Sequence, residues 1–412
     1  MRLLRSSIYY LIANMIDKSL PLIMLPILTR YLTPVEYGTL AIFQVLITFS
    51  GALISMSLYT NISRKFFVLS KIHLALYISN IAAVALCNFS LALAATGLIT
   101  FFYHNPFDIP SRWIYALPLI AIMNTFNLFN LTVLRNASRP LIFGLFQITR
   151  TIVTLSIALL LIVKYHLGWQ GQAYALLLSS IIAGMVGAIY LIMTGYMKLS
   201  LNRQSITEIL SISLPLVPHS IGAFVITLSD RLFIDQMINK SAVALYTVGY
   251  TLGMIILLCN DAFAKAWSPW FYKTMAQAPA QDNAILRRAS IYAIAIFFLA
   301  GIVSLGARFV LPYLTTNDYN GAARYVAWIA FGYAFHGIYI LFFPYVIHYN
   351  KTTFLGLLTF SMALFNIFAN YILILYNGAV GAAQATLLTY IITAVCLILF
   401  TKNLRRRAAT ED

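Results

Sequence analysis

Three cations interrupt stretches of sequence that are otherwise hydrocarbon: Lys18, Arg150 and Arg231. Charges in such surroundings are expensive unless they meet a partner or a wet cavity, so they point to function. Lys18 shares a helical face with Asn14 and Asp17, because the three fall at i, i+3 and i+4. It stands ten residues in from Ile8, about 15 Å along a helix and so near the middle of a bilayer. Arg150 sits at similar depth in its own segment. Arg231 has Asp230 next to it and Asp235 at i, i+4, a spacing that predicts an Arg231–Asp235 pair along the helix. Cations at membrane depth suit an anionic ligand such as a pyrophosphate, so Lys18, Arg30, Arg150 and Arg231 are the candidate contacts, with Asn14, Asn124 and Asn127 as polar neighbours. Asp17, Asp230 and Asp235, with His219 and His336, are the groups that could balance them or carry a coupling proton or ion. Asn366 and Asn370 instead fit interhelical hydrogen bonding.

Most of the remaining chain can only be the support for these residues. Of its 412 residues, 61% are hydrophobic and 9% charged, whereas a soluble domain carries roughly 25% charge. Apolar windows long enough to cross about 30 Å of hydrocarbon recur along it. They predict helices at 8–31, 37–62, 73–102, 113–134, 141–163 and 170–196, then at 210–236, 242–264, 290–312, 323–348, 353–376 and 378–401. The expected organisation is an N-terminal six-helix lobe (1–197), a polar cytoplasmic link (198–209), a C-terminal six-helix lobe (210–401) and a basic tail (402–412).

Basic residues orient the chain. Eighteen fall on the side of the N-terminus and six on the other, Arg30, Arg112, Lys164, Lys240, Arg308 and Arg324. That asymmetry places both termini in the cytoplasm and makes the number of spans even. It also accounts for the net charge of +16 without nucleic acid, since no basic patch is interleaved with exposed aromatics. The three cysteines, Cys87, Cys259 and Cys396, read as small buried hydrophobes, and the twenty-six tyrosines mostly as interfacial belts. No metal-ligand or nucleotide-binding spacing occurs, and no loop is long enough for a catalytic domain, so we expect no enzyme activity and no cofactor beyond a proton or cation gradient.

The halves rhyme. Arg30-Tyr31-Leu32-Thr33-Pro34-Val35-Glu36-Tyr37-Gly38 links the first two helices, and about half a chain later Asp235-Gln236-Met237-Ile238-Asn239-Lys240 and Ala244-Leu245-Tyr246 do the same. Copies with an even number of helices are related by an axis along the membrane normal. Pro21 and Pro26 in the first helix match Pro215 and Pro218 in the seventh, where they can kink both copies. The fold class expected is therefore all-α integral membrane, twelve helices in two six-helix lobes.

These motifs, with Asp230-Arg231-Leu232-Phe233-Ile234, resemble the polysaccharide flippases of the Wzx type, in the superfamily that includes multidrug antiporters and lipid II flippases. The resemblance implies transfer of undecaprenyl-pyrophosphate-linked O-antigen units from the cytoplasmic to the periplasmic leaflet of a bacterial inner membrane. It also implies contact with an O-antigen polymerase and a chain-length regulator. The competing expectations are a cation-coupled drug or metabolite exporter of the same fold and a membrane polymerase or ligase. The first should have an acidic or aromatic cavity, the second a large outer loop.

Overall fold

The computed structural model describes residues 2–103, 106–277 and 282–411, excluding the side chains of 2–8, 11, 106, 219, 276–277, 282–284, 352 and 407–411. The described residues form α1 (Arg2–Tyr31), α2 (Pro34–Ser55), α3 (Tyr59–Lys65), α4 (Lys71–Phe102), α5 (Ser111–Asn136), α6 (Pro140–Leu159), α7 (Gly168–Met193) and α8 (Arg203–Ser213). They continue as α9 (Val217–Met237), α10 (Lys240–Gly253), α11 (Ile255–Gln277), α12 (Asp282–Leu314), α13 (Ala323–His348), α14 (Thr352–Asn377) and α15 (Ala379–Glu411). Among the described residues, eleven helical stretches are long and apolar enough to cross a membrane, and a twelfth is obtained if the bent pair Arg203–Leu216 and Ser220–Met237 is one span. The all-α architecture predicted from hydropathy is thus what the chain adopts. Two compact units divide between Phe224 and Val225, inside α9.

In the first unit α5 is the axis, the most enclosed of the spans. It packs closely on α7 because Gly184 and Gly187 carry no side chain at the crossing. A Cβ on Gly184 would lie 2.6 Å from the Met123 carbonyl oxygen. α2 begins sharply, since Pro34 presets the first turn and Thr33 and Glu36 cap each other's backbone. Its other end differs from the single helix expected over 37–62. Met56 and Ser57 take left-handed conformations and divide α2 from α3, and Asn88 of α4 donates to the freed Ile54 carbonyl at 3.1 Å. Without such a donor, a helix break at membrane depth would leave that carbonyl unsatisfied.

The segment expected to be a polar link over 198–209 is partly helical. α8 is capped by Asn202, whose side chain accepts from the backbone of Gln204 and Ser205. It turns Ile206, Ile209 and Leu210 onto the apolar cluster of Ile62, Tyr77 and Ile81. That period-of-three-and-four pattern is an amphipathic helix within a polar composition. The prolines act differently in the two places. α1 stays helical through Pro21 and Pro26, whereas around Pro215 and Pro218 the chain passes through a short 3-10 turn and bends by 44°.

The second unit is organised on α13, which packs against α10, α11, α12 and α15. Gly249 and Gly253 let α10 approach, as a Cβ on Gly249 would come within 2.5 Å of the Ala322 carbonyl oxygen. Asn366 and Asn370 are fully buried on α14; Asn366 donates to Thr389 of α15 at 3.0 Å and Asn370 to Asn366. Asn366 thus ties α14 to α15, as the expected interhelical hydrogen bonding requires, whereas Asn370 bonds within its own helix and supports Asn366.

Candidate functional site

Of the residues singled out from the sequence, Asp17, Asn124 and Arg150 come together in the first unit, and Asp230 and Arg231 in the second.

The first cluster is built where α1 lies along α6. Tyr10 meets Phe143 edge to face, and Ala13 packs against Phe143, Leu131 and Leu134. This contact carries Asp17 to Thr151, whose hydroxyl donates to the carboxylate at 3.4 Å. One residue earlier on α6, Arg150 donates to the Asn124 side-chain oxygen of α5 at 2.9 Å, and its charge interacts with that of Asp17. Three helices therefore supply one polar group each, around a guanidinium that no residue of its own helix neutralises.

Arg150 also lines a cavity of 260 Å³ between α6 and α7. The wall is otherwise mostly hydrocarbon, Leu145, Phe146, Val153, Ile182, Ala183 and Val186, with Thr149 and Ser179 as its hydroxyls. A cation beside an apolar trough is suited to an amphipathic anion, which can place its charge on the arginine and its chain on the aliphatic surface.

Other candidates of the same unit do not line this cavity. Lys18 is exposed on α1 and Asn14 half-buried. Arg30, also exposed, is twelve residues further on, about 18 Å along the helix axis from Lys18. Asn127 is buried and turned to the α5–α7 crossing with Asn130, beside Gly187. Asn127 does not line the Arg150 cavity.

The second cluster surrounds Arg231, only 5% exposed. Its partner is not Asp235, as the i, i+4 spacing predicted, but Asp230, with which it forms a 3.0 Å ion pair. The reason is direction. Helix side chains lean toward the N-terminus, and Arg231 follows that lean to the Thr227 carbonyl, 3.3 Å away. Its guanidinium then rests 4.2 Å from the centre of the Tyr250 ring and 5.5 Å from that of Tyr246, both on α10. Asp235, on the C-terminal side, takes Lys240 at 3.1 Å instead. Asp230 also accepts from the Arg231 backbone N–H at 2.8 Å and, in a short hydrogen bond, from the Tyr246 hydroxyl.

From there a chain of rings continues through the unit. The Tyr250 hydroxyl is in short hydrogen-bond contact with that of Tyr333, and Tyr333 lies 5.6 Å from Tyr390, centre to centre. His336 is packed against Tyr390 at 5.2 Å and stacked on Tyr339 at 5.7 Å. Asn260 closes the network, donating to the Tyr333 carbonyl at 2.7 Å and accepting from the Tyr292 hydroxyl at 2.6 Å. The side chain of His219 lies outside the described residues.

The expectation that tyrosines form interfacial belts therefore fails for several of them. Tyr246, Tyr319, Tyr325, Tyr333 and Tyr345 are among the largest fully buried side chains. Tyr246 and Tyr250 stand at i, i+4 on α10, and Tyr325 and Tyr333 at i, i+8 on α13, periodicities that mark a shared inward face. That pattern was available in the sequence. Cys87 also departs from its expected burial: it is exposed on α4, while Cys259 and Cys396 are half-buried. Its neighbour Leu86 is exposed with it, on an apolar surface of the kind a bilayer covers.

Comparison with known proteins gives consistent results. A family model described as polysaccharide biosynthesis protein matches residues 3–275. Protein 1 of the Lsg locus of Haemophilus influenzae is 22% identical over 356 residues, 85% of this chain and 86% of that protein. A membrane protein of the same organism is 24% identical over 314 residues, 74% of each. Among solved structures, the inward-facing conformation of a multidrug resistance MATE family transporter of the MOP superfamily superposes with a TM-score of 0.71 at 16% identity, covering 96% of each chain. A MOP superfamily transporter from Pyrococcus furiosus, described as having a binding pocket of reversed polarity, gives 0.63 at 16% identity, with 99% of this chain and 96% of that one covered. At these identities the two structures establish the fold alone.

Proposed function

Because this chain belongs to the polysaccharide biosynthesis protein family, we propose that it is a flippase for a lipid-linked oligosaccharide, undecaprenyl-pyrophosphate-linked and of O-antigen or related type. In this reading it moves the substrate from the cytoplasmic to the periplasmic leaflet of the inner membrane by alternating access, with both termini cytoplasmic.

The observation that carries the reading is Arg150, a guanidinium lining a cavity of 260 Å³ whose other walls are mainly aliphatic. A pyrophosphate joined to a prenyl chain has the same two-part chemistry. Arginine receives phosphate oxygens through parallel N–H donors, and does so more strongly away from bulk water. Asn124 fixes the orientation of the guanidinium through its 2.9 Å hydrogen bond. Lys18, exposed on the adjoining α1, adds a second cation for the approaching headgroup, and Arg30 a third toward the far end of that helix. A cationic drug would meet these groups as like charges, which disfavours a drug exporter of the same fold.

Return of the protein to its starting state requires a driving force, which we assign to a proton or cation gradient. Asp17 is the acid nearest the proposed binding residues, while Asp230, Asp235 and His336 are the corresponding titratable groups of the second unit, and His219 is a further candidate within the first. Complementation of a flippase-deficient strain tests the proposal. Lys18→Ala and Arg150→Ala should each impair surface polysaccharide while the protein remains in the membrane. Full restoration by both variants would remove the cationic site from the mechanism.

A further inference from the structure

The second unit holds a larger cavity that the flippase reading does not use. It measures 470 Å³, within the roughly 300–1,000 Å³ of small-ligand pockets, and two arginines line it. Arg308 comes from the last turns of α12, and Arg324 from the first turn of α13.

The chain between those helices explains how the cavity is held. Asn317–Ala322 is a 3-10 helix of six residues, longer than the usual three or four. In a 3-10 helix residues i and i+3 eclipse, so Asn317 and Asn320 stand over one another, and their amides lie 3.5 Å apart. The opposite side is anchored, because Tyr319 and Ala322 are fully buried. Asn317, Asn320 and Arg324 thus form one wall on a fixed support, and Arg308 faces them from α12. Arg324 is itself braced, donating to the Tyr325 hydroxyl at 2.7 Å with its guanidinium 4.9 Å from that ring's centre. Asp318, the one acid in this segment, is not among the residues lining the cavity.

Charge distribution sharpens the inference. The charge count assigns six basic residues to the side opposite the N-terminus, and two of those six, both exposed, line this one cavity. Membrane proteins place cations on that side sparingly. A pair converging on one cavity is therefore a specific arrangement, and guanidiniums flanked by amides are donors matched to oxygen anions.

We propose that this cavity binds an oxyanion carried on a glycan, either a phosphate or a sugar carboxylate, on the outer face of the second unit. That an oxyanion binds rests on the cavity alone. That a glycan carries it rests on the flippase reading, in which the site receives the headgroup after it has crossed.

The test is calorimetric titration of the purified full-length chain in non-ionic detergent, with inorganic pyrophosphate and glucuronate as probes. It is run in a Lys18→Ala/Arg30→Ala/Arg150→Ala background so that the first unit's proposed cations do not contribute. At least one probe should bind, and the Arg308→Gln/Arg324→Gln variant should bind it about tenfold or more weakly, while eluting as the parent does on size exclusion. Excess phosphatidylglycerol should leave the wild-type cavity's affinity unchanged. Absence of binding, or equal affinity in the variant, overturns the proposal. Displacement by phosphatidylglycerol also overturns it, and assigns the cavity to a lipid headgroup. Complementation by the Arg150 variants reads the flippase reading separately, so the two failures are distinguishable.

Discussion

Replacing Asp230 with Asn removes one charge from a buried pair and leaves the other behind. Arg231 is 5% exposed and Asp230 only 1%, so water cannot take over the carboxylate's role. Deleting one partner of such a pair typically costs about 3–5 kcal/mol. Two features of this site favour the lower end. The asparagine oxygen still accepts from Arg231, and the Tyr250 ring, 4.2 Å from the guanidinium, contributes about 0.5–2 kcal/mol of cation–π attraction. We therefore expect a loss of about 3 kcal/mol. For a cooperative unit of the size of Val225–Asp412 that is a fall in Tm of roughly 6–12 °C. The double variant Asp230→Leu/Arg231→Leu buries neither charge and should fall by less than Asp230→Asn alone. Thermal unfolding of the detergent-purified proteins, followed by circular dichroism, gives both values. An Asp230→Asn protein melting within about 1 °C of wild type would refute the assignment of Asp230 as the carboxylate that compensates Arg231.

Four further outcomes are expected. Gly184→Ala drives a Cβ to 2.6 Å from the Met123 carbonyl oxygen and should lower the melting temperature through separation of α5 and α7 by about 1–3 kcal/mol. Gly301→Ala, where nothing lies within 4 Å, should leave the protein unchanged or raise its stability by up to about 1 kcal/mol, which the same melts will show. Asn88→Ala strips the donor from the Ile54 carbonyl at the α2–α3 break and should destabilise by about 1–3 kcal/mol; equal melting curves would mean another group satisfies that carbonyl. Collapse of the proton gradient should slow substrate transfer in proteoliposomes, and unchanged flux would remove Asp17, Asp230 and the histidines as coupling groups.

Hydropathy made the spans legible because a bilayer imposes one length on every crossing segment. The window at 113–134 became Ser111–Asn136, and that at 353–376 became Thr352–Asn377. What composition did not reveal were departures from regular backbone without the usual markers. Met56 and Ser57 break a helix with neither glycine nor proline, and the device that makes the break tolerable, Asn88, is supplied by another helix. α8 was hidden by its polar residues, although Ile206, Ile209 and Leu210 already carried the helical period. At the site, residue types were readable and partners were not. Spacing along α9 nominated Asp235 for Arg231, but the aromatic face of α10 decided the geometry and left Asp235 to Lys240. Arg150 was legible as an isolated cation, and its neighbours Asn124 and Asp17 emerged only from the packing of α1 and α5 on α6.

Transfer of an undecaprenyl-pyrophosphate-linked oligosaccharide across sealed proteoliposomes, read as protection from a membrane-impermeant glycosidase, measures the proposed activity directly. Wild-type protein should expose the internal pool faster than empty liposomes do, and Arg150→Ala should abolish most of that acceleration. An Arg150→Ala protein that transfers at the wild-type rate, or a wild-type protein no faster than lipid alone, would contradict a flippase that works through a cation in the membrane.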